Sequence, residues 1–168
     1  RDIHMLSSDD GWAIGSSIYR FDGNEWAEFE NLPLIDNDLY KIDMISADDG
    51  WIVGEEGTIL HWNGDDWDVV PSPTTVDLTA ISMASTDHGW AIGGGYAGPS
   101  VLLHWDGSRW MQMESPTNCE FYDILMVSEY DGWLTSGWSS TQPSGTFRYN
   151  PTNLEINHSG SVLSSGVN

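Results

Sequence analysis

The chain has 168 residues, with 26 Asp and Glu against 5 Lys and Arg, for a formal net charge of −21. That length suits a single domain able to bury a core. The charge excludes nucleic acid and anionic membrane surfaces as partners, because both require clustered Lys and Arg. No apolar run approaches the roughly 18 to 20 residues of a membrane span, so no membrane insertion is expected. The acidity is not that of a disordered chain, since aromatics make up 12% and Trp alone numbers 10. Cys119 is the single Cys, so no disulfide forms within the chain and the fold must stand on packing. A Trp-rich, Gly-rich, Lys-poor composition of this kind reads as compact, all-β and extracellular.

In chain order, one unit recurs four times. Asp10-Gly11-Trp12, Asp49-Gly50-Trp51 and Asp131-Gly132-Trp133 share a tripeptide, and His88-Gly89-Trp90 is its variant. The repeats run over about 1–38, 39–77, 78–120 and 121–158, with a tail at 159–168. Their internal period is two, as in Ile42, Met44 and Ser46 or Ile81, Met83 and Ser85, the alternation of half-buried strands. Each repeat is therefore expected to hold four strands, at about 39–46, 51–54, 57–63 and 67–71 in the second. Asp, Asn and Gly mark the turns. Pro33, Pro71, Pro73 and Pro116 fall between repeats, where no ladder hydrogen bond is lost. The fourth repeat carries an insertion at 136–145 and has Leu154 where a closing Trp is expected. The chain opens inside a first strand without Met, as a processed product or a fragment would. The Ser/Gly-rich tail has the composition of a segment that does not fold by itself.

Four-stranded units of about 40 residues have the size of a propeller blade. The pattern Leu78-x-x-Ile81-x-Met83-x-Ser85, then Gly89-Trp90-Ala91-Ile92-Gly93, then Leu103-His104-Trp105-Asp106-Gly107-x-x-Trp110 resembles the blades of bacterial sialidase-like propellers. It is most similar to repeats of the photosystem II stability/assembly-factor type. The resemblance covers essentially the whole chain and implies an all-β propeller of four four-stranded blades. A closed four-bladed ring is the favoured arrangement. Half of an eight-bladed ring completed by a second copy and an open head-to-tail stack are the alternatives.

Two columns of residues recur at fixed places. Trp12 with Trp26, Trp51 with Trp67, and Trp90 with Trp110 open and close the repeats, and Trp133 opens the fourth. These read as blade-to-blade packing, each Trp able to hide about 200 Å². Trp62, Trp105 and Trp138 lie outside those pairs, which makes them the candidates for stacking on a sugar ring. In the third strand, Arg20-Phe21, His61-Trp62, His104-Trp105 and Arg148-Tyr149 share one position. The basic group there either ties to an acidic turn such as Asp10, Asp49 or Asp131, or joins a ring of cations that grips an anionic or glycan ligand. His88 takes the place of the turn Asp in repeat three, so that blade needs a different partner.

Asp22-Gly23-x-x-Trp26, Asn63-Gly64-x-x-Trp67 and Asp106-Gly107-x-x-Trp110 are similar to the Asp-box of sialidases, short of one residue between Asp and Gly. The resemblance implies structural turns. A sialidase would also need an arginine cluster, and Arg1, Arg20, Arg109 and Arg148 are scattered. No phosphate loop, zinc spacing or serine elbow is present. Asp48-Asp49 and Asp65-Asp66 offer hard oxygens for Ca²⁺, though without a defined ligand spacing. No other cofactor is implied. Cys119 sits in an interblade segment, where it is either inert or able to cross-link chains. Asn157-His158-Ser159 is a formal glycosylation sequon.

The leading expectation is a non-enzymatic secreted propeller, a structural, self-assembling or binding module at the cell surface. Its partners would be further copies of itself, a cell-surface protein or a glycan. The alternatives are a lectin or glycan-active enzyme on a degenerate sialidase-like scaffold, and an assembly factor of the photosystem type. Factors of that type rely on a basic surface patch, which this chain lacks.

Overall fold

The computed structural model describes residues 1–94, 100–115, 119–137 and 145–149. Trp138, Leu154, Asn157, Pro116, most of the fourth-repeat insertion and the tail 159–168 lie outside the described residues.

The described residues form four antiparallel sheets in sequence order. The first contains β1 (Asp2–Met5), β2 (Gly11–Ile14), β3 (Ile18–Phe21) and β4 (Trp26–Glu28). The second contains β5 (Leu39–Ser46), β6 (Asp49–Gly54), β7 (Ile59–Trp62) and β8 (Trp67–Val69). The third contains β9 (Leu78–Ser85), β10 (His88–Gly93), β11 (Val101–Trp105) and β12 (Trp110–Met113). In the fourth, β13 (Phe121–Ser128), β14 (Asp131–Ser136) and β15 (Gly145–Tyr149) are described. Each sheet is a simple meander, every strand paired with its neighbour in sequence. Helix is confined, among the described residues, to one 3₁₀ turn at Glu55–Gly57, where Glu56 takes a positive φ of 52°.

The invariant Gly before each second-strand Trp has a steric cause. A Cβ at Gly11, Gly50, Gly89 or Gly132 would collide with the sulfur of Met5, Met44, Met83 or Met126 across the first strand pair. With Gly at these places the Met sulfur packs directly against β2, β6, β10 and β14. The closing turns have a different cause. The side-chain oxygen of Asp22, Asn63 or Asp106 accepts two backbone N–H bonds, for example from Asp65 at 2.9 Å and Asp66 at 3.0 Å. The Gly that follows takes φ of 95°, 100° and 86° in the three cases. Asx-turns of this kind need no Asp-box, so one residue fewer between Asp and Gly is accommodated.

The core lies between sheets. Trp12, Ile14 and Ile18 of the first sheet pack on Leu39, Ile42, Met44, Ile52, Trp62 and Trp67 of the second. Trp51 and Val53 pack in the same way on Leu78, Ile81, Ala91 and Trp110 of the third. Ala80, Trp90 and Ile92 meet Phe121, Ile124, Met126 and Leu134 of the fourth. This face-to-face stacking of four-stranded meanders is propeller architecture.

Ring closure within the chain is not seen among the described residues. The first sheet contacts the second through β1 and β2 against β5, the second meets the third through β5 and β6 against β9, and the third meets the fourth through β9 and β10 against β13. Among the described residues no comparable interface joins the fourth sheet to the first. The outward face of the first sheet exposes Ile3 and Trp26, and that of the fourth exposes Leu125, Val127 and Trp133.

These burials predict a graded tryptophan series. Trp51→Ala should cost roughly 3–5 kcal/mol, the usual loss for a buried aromatic. Trp26→Ala and Trp133→Ala, at exposed positions, should cost about 1 kcal/mol or less. Urea unfolding of the three variants checks it, and a Trp133 loss as large as that of Trp51 would mean that a blade covers it.

Candidate functional site

The basic column of the third strands is a set of structural ties. Arg20 reaches Asp10 at 3.4 Å, His61 bonds Asp49 at 2.9 Å, and Arg148 grips Asp131 with two bonds of 2.7 and 2.8 Å. His104 lies 3.3 Å from His88, the residue that replaces the acid in that repeat. Strand register pairs each basic residue with the Gly-Trp indole of its own sheet: Trp12 with Arg20, Trp51 with His61, Trp90 with His104 and Trp133 with Arg148. The guanidinium of Arg20 sits 5.0 Å from the Trp12 ring centroid and that of Arg148 5.6 Å from Trp133. Cation and indole thus hold each other, with the acidic turn behind. The Asp131 carboxyl is held below the ordinary range by its bonds to Arg148.

Of the proposed sugar-stacking residues, Trp62 is a core residue and Trp105 packs partly buried against the core. Trp62 is 1% exposed, and its indole N–H donates to the Ala47 carbonyl at 2.9 Å. Trp105 is half-buried and donates to the Thr86 carbonyl at 3.1 Å. Each joins a triad that bridges two blades. Trp12 lies 4.8 Å from Trp62 and 5.4 Å from Trp67, and Trp51 lies 4.8 Å from Trp105 and 5.4 Å from Trp110. The aromatic of the third strand completes a pocket for the indole of the preceding blade. Its recurrence as Phe21, Trp62, Trp105 and Tyr149 was the available signal. The indole N–H groups of Trp12, Trp51, Trp67 and Trp110 are buried without a hydrogen-bond acceptor. Near-perpendicular ring pairs, at 90° for Trp12–Trp67 and 84° for Trp51–Trp110, supply aromatic contact instead.

Of the candidate calcium ligands, Asp49 is engaged by His61, and Asp66 accepts from Asn31 at 3.2 Å. Asp48 lies beside Gly64, the residue before Asp65 and Asp66. Among the described residues no three His, Cys, Asp or Glu side chains gather as a metal-holding group. Cys119 is 1% exposed, which keeps its sulfur from a thiol of another chain.

A polar ladder on the inner strands was not read from the sequence. The inner strands of the first three blades each lend a side chain to the backbone of the next blade. Asp2 accepts from the Ile42 N–H at 3.0 Å and His4 from the Met44 N–H at 3.3 Å. Asp43 accepts from the Met83 N–H at 2.7 Å and Ser82 from the Met126 N–H at 2.9 Å. Burial lifts the Asp43 carboxyl above the ordinary range, against the pull of the Met83 N–H and of His4 and Lys41. Lys41, the one lysine, lies 3.8 Å from Asp2 and 4.0 Å from Asp123, so inner strands of three blades converge on it.

One concave feature among the described residues is a cleft of about 360 Å³ between the β2–β3 turn and the linker into the second blade. Ile18, Leu32, Ile35 and Leu39 form its apolar lining, and Ser16, Ser17, Asp36, Asn37 and Asp38 its polar one. The equivalent place at the next junction is filled. There the turn between paired Val53 and Ile59 has five residues, against three between paired Ile14 and Ile18. The longer turn lies on the linker, with Glu56 N–H donating to Asp77 at 2.9 Å and Gly57 too close to Thr74 for any side chain.

The histidine pair makes a pH prediction. Burial, then the neighbouring His88, lowers the His104 pKa below its ordinary 6.5. The unfolded chain then binds the proton more readily, so this group removes stability as pH falls below about 6.5. His88→Asp puts a carboxylate beside His104, as Asp49 stands beside His61 in the second blade, and so favours the charged imidazole in the folded state. The melting temperature of His88→Asp minus that of the parent should grow as pH falls from about 7.5 to 5.5. A difference that stays flat or shrinks would contradict the assignment.

No protein-family model and no curated protein matches the chain. Solved structures do. YCF48 from Cyanidioschyzon merolae is similar with a TM-score of 0.66 at 17% identity, over 90% of this chain and 52% of that one. YCF48 bound to a D1 peptide gives a TM-score of 0.58 at 18% identity, over 72% of this chain and 38% of that one. An ancestral GH74 enzyme gives 0.64 at 15% identity, over 88% of this chain and 22% of that one. The chain spans about half or less of each of these propellers, and the likeness is one of fold, a β-propeller, in agreement with the fold-level resemblance of its repeats.

Proposed function

We propose that the chain is a non-enzymatic, extracellular protein-binding propeller module. It takes a polypeptide segment with a basic residue beside an apolar one, in the cleft between its first two blades. The observation that carries this reading is the contrast between the two junctions. A two-residue difference in turn length leaves open in one what is filled in the other. The apolar lining suits an aliphatic or aromatic side chain, and Asp36, exposed at the cleft, suits a Lys or Arg next to it through a charge-assisted bond. A net charge of −21 would also speed encounter with a basic partner.

The non-enzymatic part rests on how the reactive side chains are spent. Arg20, His61 and Arg148 are engaged by acidic turns and by their own indoles, and His104 by His88. The extracellular part rests on the composition alone. A propeller with a bound peptide among the similar structures supports polypeptide as the ligand class. Calorimetric titration with short peptides should show binding for Lys- or Arg-bearing apolar sequences and none for their Glu-substituted versions. Asp36→Lys should weaken that binding about tenfold, on the order of 1.4 kcal/mol. Binding on a glycan array or turnover in a glycosidase panel, with no peptide binding, would contradict the reading.

A further inference from the structure

The apolar side chains exposed on the two outward faces occupy the positions that build the interfaces inside the chain. Trp12 and Trp51 each enter an aromatic pair on the next blade, formed by Trp62 with Trp67 and by Trp105 with Trp110. Those pairs have centroid separations of 5.6 Å and interplanar angles of 42° and 41°. Phe21 and Trp26 on the first blade form the same pair, 5.2 Å apart at 34°, with Trp26 41% exposed. Trp133 on the fourth blade is the same indole as Trp12 and Trp51 and is 39% exposed. One end carries the pair without its indole, and the other carries the indole without its pair.

The neighbouring positions agree. Leu6 and Ile45 pack into the two complete interfaces, while Val127, at their place in the fourth blade, is 66% exposed. On the receiving side Ile42 and Met44 are buried, while Ile3 and Met5, at their place in the first blade, are 57% and 43% exposed. The polar ladder also continues. Asp2 pairs with Ile14 in its sheet as Asp123 pairs with Thr135. Asp2 accepts from the Ile42 N–H, so Asp123 is placed to accept from the Ile3 N–H of a following first blade. Leu125 stands where Asp43 and Ser82 stand, so the Met5 N–H gains no acceptor and the joint is more apolar than its internal counterparts.

We infer that the fourth blade of one copy packs on the first blade of a second copy, head to tail, with Trp133 entering the Phe21–Trp26 pair. The joint is a continuation of the three interfaces already formed, and it is heterologous: two different faces meet. With −21 on each copy, association strengthens with salt. It uses surfaces separate from the blade 1–blade 2 cleft, so either assignment can fail alone.

The test is sedimentation velocity of the parent chain and two variants, Trp133→Asp and Ile3→Asp, each substituted at an exposed position and checked for folding by circular dichroism. The parent should associate in a concentration-dependent way, to a dimer or beyond, more strongly at high ionic strength. Each variant alone should be weaker by at least about thirtyfold. Mixed, they should form a 1:1 dimer, because the first keeps its receiving face and the second its donating face. A monomeric parent at millimolar concentration overturns the inference, whether acrylamide reaches Trp133 or a ring closed within one chain shields it. Association of either variant alone at parental strength, or a mixture that stays monomeric, overturns it as well.

Discussion

The rest of the structure hangs on one contact: the indole that follows a Gly packs into the next blade, into an aromatic pair for Trp12 and Trp51 and onto Phe121, Ile124, Met126 and Leu134 for Trp90. Within a blade the meander is held by ladder hydrogen bonds, and an isolated four-stranded sheet has little apolar surface to bury against itself. Between blades, each Trp brings about 200 Å² of surface out of water, an upper bound near 5 kcal/mol. The Met of the first strand packs against the Gly, the basic residue lies against the indole, and in three of the four blades an acidic turn holds the basic residue. Four features of the repeat therefore serve one contact.

The same arrangement explains how a chain of −21 stays compact. Two of its five cations, Arg20 and Arg148, stack on indoles and pair with turn carboxylates, while Lys41 lies between Asp2 and Asp123 on the inner strands. On the inner strands, acids accept backbone N–H bonds from the neighbouring blade, so charge is used to register one sheet against the next. The remaining acids face solvent and leave an acidic exterior.

Much of this was legible in the residues. Alternation in Leu39–Ser46 and Leu78–Ser85 marked first strands, and the Asp-Gly-Trp recurrence marked the blades. The acid–base tie was legible because both partners recur at fixed spacing, and the substitution of His88 flagged the one blade that differs. The role of Trp62 and Trp105 was not legible, since strand alternation tells which face a residue takes and not which blade lies across that face. The inner-strand ladder was hidden for a similar reason: His4, Asp43 and Ser82 share a position but no residue type, Asp2 stands two residues before it, and their common partner is a backbone N–H. The cleft depends on a two-residue difference in turn length, which repeat comparison could have found. Ring closure depends on the angle between blades, which composition and period do not encode.

Indole N–H hydrogen exchange, followed by two-dimensional NMR in dilute solution, tests the central contact most directly. The account predicts slow exchange for Trp12, Trp51, Trp67 and Trp110, close to the rate set by global unfolding. It predicts fast exchange for Trp26 and Trp133, the two members of incomplete triads. Equal protection of Trp133 and Trp51 in a monomeric sample would contradict it, because the fourth blade would then already have its neighbour.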